Sequence, residues 1–152
     1  MSKGCLRGRP FGGVASFVKD SIASRTKLIK SASRFVILQI DDIVLINVYL
    51  PCVSNDNWDV EYLDCLTCIM NTVSELHYTY IIFAGDMNVD FSNNCKGCKY
   101  NNTVDNLLTF AEQLGLKFLG DKLDNSQDAS TFRVVSSGAK SVMDHISVSE
   151  SL

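Results

Sequence analysis

The sequence predicts an α+β fold in which short strands outnumber helices. Three observations carry that expectation. Apolar runs with β-branched and aromatic bulk recur at Val14–Val18, Lys27–Lys30, Arg34–Ile40, Ile43–Tyr49, Tyr80–Ala84 and Val142–Val148. Only two segments, beginning at Val60 and Thr103, space their apolar residues three and four apart as a helix requires. The chain has 152 residues, 46% hydrophobic and 20% charged, which suits one domain with a core, residues 1–152, and not a disordered tail.

The elements follow in order. Gly12-Gly13 is a turn signal, and Val14–Val18 after it reads as a strand. Lys27–Lys30 and Arg34–Ile40 are the next strands. Asp41-Asp42 is a two-residue turn, and Ile43–Tyr49 returns as an almost wholly apolar strand, the pattern of one buried on both faces. Pro51 ends it, since proline cannot donate to a ladder. Asn57 is placed to cap a helix running to about His77, with Leu63, Leu66, Met70, Val73 and Leu76 as its apolar stripe. Tyr80–Ala84 is a further strand, and the polar, asparagine-rich Asp86–Asn102 reads as loop. Thr103 is expected to cap a second helix with Val104, Leu107, Leu108, Ala111 and Leu114 on one side and Gly115 as its stop. Lys117–Leu119, Thr131–Val135 and Val142–Val148 complete the strands.

Three places carry residues suited to chemistry. In Tyr80–Asp90 a buried strand delivers Gly85, then Asp86 and Asn88. Residues two apart on an extended chain share a side, so a carboxylate and an amide would project together and could deprotonate and orient a water. The alternative for the same Asp-x-Asn spacing is an Asx turn that closes the strand. Tyr49 ends a buried strand, where its phenol can be aimed rigidly. Asp144 sits inside an apolar strand pattern, where a carboxylate is costly unless paired. Its neighbour His145 points to the opposite face and should not serve it.

Taken together, Arg7–Ala15 (Arg-Gly-Arg-Pro-Phe-Gly-Gly-Val-Ala), Asn47–Pro51 (Asn-Val-Tyr-Leu-Pro), Phe83–Asn88 (Phe-Ala-Gly-Asp-Met-Asn), Ser130–Phe132 (Ser-Thr-Phe) and Ser141–Ile146 (Ser-Val-Met-Asp-His-Ile) come in a specific order. That order resembles the endonuclease/exonuclease/phosphatase superfamily, and more narrowly the apurinic-type endonuclease domain of non-LTR (LINE-type) retrotransposons. The similarity spans nearly the whole chain. It implies an α/β sandwich of two packed, mostly antiparallel β-sheets flanked by helices, here an incomplete four-layer form. It also implies Mg²⁺-assisted hydrolysis of DNA phosphodiesters. By the same resemblance Asp86 would activate the attacking water and Asn88 orient it. Tyr49 would hydrogen-bond a phosphate oxygen, and Asp144 would hold a catalytic imidazole in its tautomer. Thr131 would line the DNA groove. The partners implied are DNA and the reverse transcriptase part of a longer polyprotein.

The departures set a further expectation. The resemblance calls for an asparagine and a metal-binding glutamate ahead of the Gly-Gly strand, and Met1–Phe11 contain neither Asn nor Glu. It also calls for a Ser-Asp-His motif after the last strand, and the chain ends four residues past Val148 without one. The metal set is therefore incomplete and activity is expected to be impaired. A non-catalytic fragment or interaction protein that keeps the fold is the alternative. Asp86, Asn88, Tyr49 and Asp144 are expected to meet at the mouth of one cleft.

Other classes are weighed on composition. The net charge of −3 excludes an overall basic nucleic-acid clamp but not a local basic groove. No run approaches the roughly 20 apolar residues of a membrane helix. Met1–Pro10 is basic but has no apolar segment or cleavage site, so no secretory signal is read and an intracellular setting is expected. Cys65-x-x-Cys68 and Cys95-x-x-Cys98 raise a zinc-binding module as a rival. The first pair falls within the amphipathic helix, so unconnected thiols are the preferred reading.

Overall fold

The computed structural model describes residues 13–52, 57–91, 100–119, 130–133, 138 and 140–149. A helical turn, α1 (Asp20–Ala23), leads into β1 (Thr26–Ser31), β2 (Phe35–Ile40) and β3 (Ile43–Tyr49). Helix α2 (Trp58–Ser74), strand β4 (Tyr80–Asp86), helix α3 (Tyr100–Gln113) and strand β5 (Leu116–Phe118) follow. The short strands β6 (Phe132–Arg133) and β7 (Lys140–Ser141) precede β8 (Asp144–Ser149). Six strands form one sheet in the order β1-β2-β3-β4-β8-β5, and β6-β7 is a separate two-stranded ribbon. All pairs are antiparallel except β3-β4, which is parallel and joined through α2, the crossover that a parallel pair needs. The α/β layering expected from the sequence is what the chain adopts: a mixed, mostly antiparallel sheet flanked by helices.

The core lies between the helices and one sheet face. Phe35 and Ile37 of β2, Val44, Ile46 and Val48 of β3, and Ile81 and Phe83 of β4 meet Tyr62, Leu66, Ile69 and Val73 of α2 and Val104, Leu107, Phe110 and Ala111 of α3. Strand alternation sends the intervening residues to the other face. There Ile43, Leu45, Asn47 and Tyr49 are only half-buried, so β3 is fully buried on one face rather than two. On that second face Leu28 is 64% and Ile146 48% exposed. No helix among the described residues is long and apolar enough to cross a membrane.

Several boundaries differ from the sequence reading. Val14–Val18 is not a strand. It pairs with no ladder in the described sheet and is held where Asn47 Nδ2 donates to the Ala15 carbonyl at 3.2 Å. Helix α2 starts two residues early and ends at Ser74; Asn57 does occupy its N-cap position, and its carbonyl accepts from Glu61 N. The buried stripe is Trp58, Tyr62, Leu66, Ile69 and Val73, and Leu63 is 47% exposed. Tyr62 takes the inner position because its hydroxyl donates to the Met87 carbonyl at 3.0 Å, satisfying the polar tip that hydropathy counts against it. Thr103 is not a cap: α3 begins at Tyr100 and Thr103 is buried inside it. Gly115, at φ +62°, ends that helix as expected. Strand β4 continues through Gly85 to Asp86, and the expected strand Val142–Val148 begins only at Asp144, with Val142 and Met143 linking β7 to β8. Arg7–Gly12, Cys95 and Cys98 lie outside the described residues, as do Val134 and Val135 of the expected Thr131–Val135 strand.

Candidate functional site

The parallel pair β3-β4 ends with Tyr49 opposite Asp86, and the antiparallel pair β4-β8 sets Asp86 opposite Asp144. Register partners share a face. Tyr49, Asp86 and Asp144 therefore form a row across three adjacent strands, at the carboxyl ends of β3 and β4, the end where open α/β sheets bind ligands. The row lies on the face opposite the helices, since the flanking residues Val48 and His145 are buried on the helix side.

The backbone around Asp86 is tightly specified. Gly85 has φ +134°, and a Cβ there would stand 2.1 Å from the Val48 carbonyl oxygen, so only glycine fits. Asp86 O accepts from Leu50 N, and Met87 N donates to Met143 O, each at 2.8 Å, which ties the end of β4 to both neighbours. Asn88 adopts φ +50°, a left-handed conformation that asparagine tolerates. Its backbone N–H donates to Asp86 Oδ1 at 3.0 Å, so the Asx turn is present. Its side-chain Nδ2 donates to the Leu50 carbonyl at 2.8 Å, bracing the ends of β3 and β4 together. Asp86 Oδ2 has no hydrogen bond among the described residues and remains available.

Burial pushes the Asp86 carboxyl above the ordinary carboxylate value; the Asn88 N–H pulls it back, and the Asp144 carboxylate opposite raises it further. Asp144 itself is exposed at the first position of β8 and not enclosed in the strand, which corrects the sequence expectation of a carboxylate in an apolar environment. Thr131 is the residue that sets this strand start. Its Oγ1 accepts from Met143 N at 2.8 Å and Asp144 N at 3.1 Å, and its own N–H donates to Ser141 O.

His145 faces away from Asp144, as the alternation requires. It is buried, its Nε2 lies 2.6 Å from the Val89 carbonyl, and its ring packs against Phe91 and Phe118. It anchors the segment after Asp86 from behind. His77 is exposed beyond the end of α2, and its carbonyl accepts from Gln39 Nε2. The two histidines of this sequence thus both lie away from the row.

One residue at this end was not singled out from the sequence. Arg34 lies just before β2, where its carbonyl accepts from Tyr49 N at 2.8 Å. Its guanidinium carbon sits 5.4 Å from the centre of the Tyr49 ring, and its Nε donates to Glu61 of α2 at 3.1 Å. Counting the hairpin register outward from Asp41-Asp42 pairs position 34 with position 49 and would have found it.

Among the described residues no group of three or more His, Cys, Asp or Glu converges to hold a metal. Two facing carboxylates, one of them with its ionisation opposed by burial and by the other, still fit a hydrated Mg²⁺. That ion typically takes one or two protein carboxylates and fills its shell with water and phosphate oxygens. On the β6-β7 ribbon, Arg133 and Lys140 are register partners and both exposed.

No family model and no curated protein matches the chain by sequence. The fold is similar to that of solved nucleases. A 3′ phosphatase, NExo, from Neisseria bound to a product DNA hairpin is 13% identical, with a TM-score of 0.58, and the match covers 83% of this chain and 58% of that one. A 3′-5′ exonuclease from Neisseria meningitidis is 13% identical with a TM-score of 0.57 and the same coverage. An AP endonuclease from Archaeoglobus fulgidus is 18% identical, with a TM-score of 0.57 over 79% of this chain and 54% of that one. The chain thus spans a little over half the length of the nucleases whose fold it shares.

Proposed function

We propose that the chain is a DNA-directed phosphodiester hydrolase domain of the retrotransposon endonuclease type, with impaired catalysis in the 152 residues given. The observation that carries this reading is the row Tyr49, Asp86, Asp144 at one end of the sheet. Asp86 is the base: its raised affinity for protons, with Oδ2 open, suits it to take one from a water attacking phosphorus. The new P–O bond forms as the bond to the leaving sugar oxygen breaks. The Tyr49 phenol donates to a non-bridging phosphate oxygen. Asn88 acts by fixing Asp86 and the ends of β3 and β4. Mg²⁺ held by Asp86 and Asp144 would neutralise charge developing on the phosphate. Exposed Arg133 gives the nucleic acid a local basic contact on a chain of net charge −3.

Impairment follows from the imidazoles. With His145 buried against Val89 and His77 beyond α2, no imidazole of this chain reaches the row for Asp144 to hold. That same observation favours the second reading, a non-catalytic interaction protein that keeps the fold. Duplex binding measured by fluorescence anisotropy separates the two. The expected result is Mg²⁺-enhanced binding that Asp86→Ala and Asp144→Ala each abolish. Binding indifferent to Mg²⁺ and to both substitutions would sink the hydrolase reading.

A further inference from the structure

We infer that Arg34 is a phosphate-contacting residue of this site, prearranged by Tyr49 and Glu61; the inference rests on the phosphodiester reading above and names a second anion contact within it. Arg34 stands at the same end of the sheet as the catalytic row, fixed there by the hydrogen bond from Tyr49 N to its carbonyl. Its side chain is only 19% exposed and is held in two ways. The guanidinium carbon lies over the Tyr49 ring at 5.4 Å, and Nε donates to Glu61 Oε1 at 3.1 Å. Glu61 occupies Nε alone, so among the described residues the Nη1 and Nη2 edge makes no hydrogen bond. A planar fork with that edge open is the group that recognises phosphate oxygens in pairs.

The charge distribution gives the arrangement a purpose. Asp86 and Asp144 present two carboxylates where a polyanionic strand must approach, which opposes binding unless a cation is fixed nearby. Strand β3 separates the two positions, placing the Arg34 and Asp86 backbones about 10 Å apart. Arg34 therefore meets a phosphate adjoining the one that Asp86 addresses, and its grip would hold the strand in register with Tyr49. A side chain already ordered loses little further freedom on binding. An arginine placed only to tie β2 to α2 would have no need of an open Nη edge over the phenol.

The test is binding of a labelled DNA duplex over a salt series in Mg²⁺, with the melting temperature recorded for each protein. Arg34→Met keeps an apolar stem on the Tyr49 ring and removes the charge. It is expected to reduce the slope of log affinity against log salt by about one. Arg34→Lys keeps the charge without the fork, so it should preserve the slope while weakening binding. Glu61→Gln keeps the guanidinium, frees it from its carboxylate, and should bind as tightly as the parent or more so. It also covers the case in which Arg34→Met does not fold. An Arg34→Met slope equal to the parent's, or weaker binding by Glu61→Gln, would overturn the assignment alone. No measurable binding by the parent chain would overturn the phosphodiester reading and this assignment with it.

Discussion

Asp86 and Asp144 face each other across the antiparallel pair β4-β8, at the position where β8 begins. One carboxylate is partly buried and the other exposed, so they are unequal in their tolerance of charge.

That inequality gives a pH dependence. Burial raises the Asp86 carboxyl, with Asp144 adding to the effect and the Asn88 N–H opposing it. The folded value lies above the unfolded one, so the native state binds more protons in the interval between them. Stability then falls as pH rises from the ordinary carboxylate value of about 3.9 through the raised folded value, and stays lower above it. Asp86→Asn removes the charge and keeps an acceptor for Asn88. It is expected to be more stable than the parent at neutral pH, with the difference vanishing toward acid. Urea unfolding at several pH values without divalent cations measures this; a parent as stable as the variant at neutral pH contradicts it.

Catalysis is expected to be absent in the isolated chain. Phosphodiester cleavage needs an activated water, a stabilised phosphate and a managed leaving group. Loss of one electrostatic stabiliser alone costs on the order of 10²–10³ in rate. Supercoiled plasmid in Mg²⁺ or Mn²⁺ should show no nicking above background. Nicking that disappears in Asp86→Ala would show instead that the row suffices without an imidazole.

Gly85→Ala is expected to destabilise the fold by more than about 3 kcal/mol. The obstacle is the Val48 backbone carbonyl, which no rotamer change can move aside, and φ is +134°. Thermal melting decides it; a loss under 1 kcal/mol, on the order of an ordinary surface substitution, would mean that β3 and β4 can part locally.

Thr131→Val should cost about 1 kcal/mol, because Oγ1 accepts from two backbone N–H groups at the start of β8. Thr131→Ser should restore it. Amide exchange at Met143 and Asp144 is the specific readout, and unchanged protection in Thr131→Val would remove Thr131 from the support of Asp144.

Much of this was readable in the residues. The β2-β3 hairpin was legible because Asp41-Asp42 separates two apolar runs, and Asp41 takes the left-handed conformation such a turn demands. Asp86, Asn88 and Tyr49 stood out by motif order. What the sequence hid depends on tertiary packing. Val14–Val18 has the composition of a strand but pairs with none in the described sheet. Tyr62 turned inward because Met87 supplied an acceptor. Thr131 read as a groove residue; that its Oγ1 also accepts from the backbone where β8 begins is set by packing and gave no sequence signal. Arg34 gave no local signal, since its meaning comes from a partner across the hairpin.

The parallel pairing of β3 with β4, inside a sheet otherwise antiparallel, has a kinetic consequence. Hairpins such as β1-β2-β3 close over short loops and can form early. The β3-β4 ladder must wait for α2 to fold back, and β8 joins only after nearly all the chain is in place. Tyr49, Asp86 and Asp144 come together across those slow joints. The row is therefore among the last features to assemble during folding, and a probe attached near it would report completion of the native topology rather than early collapse.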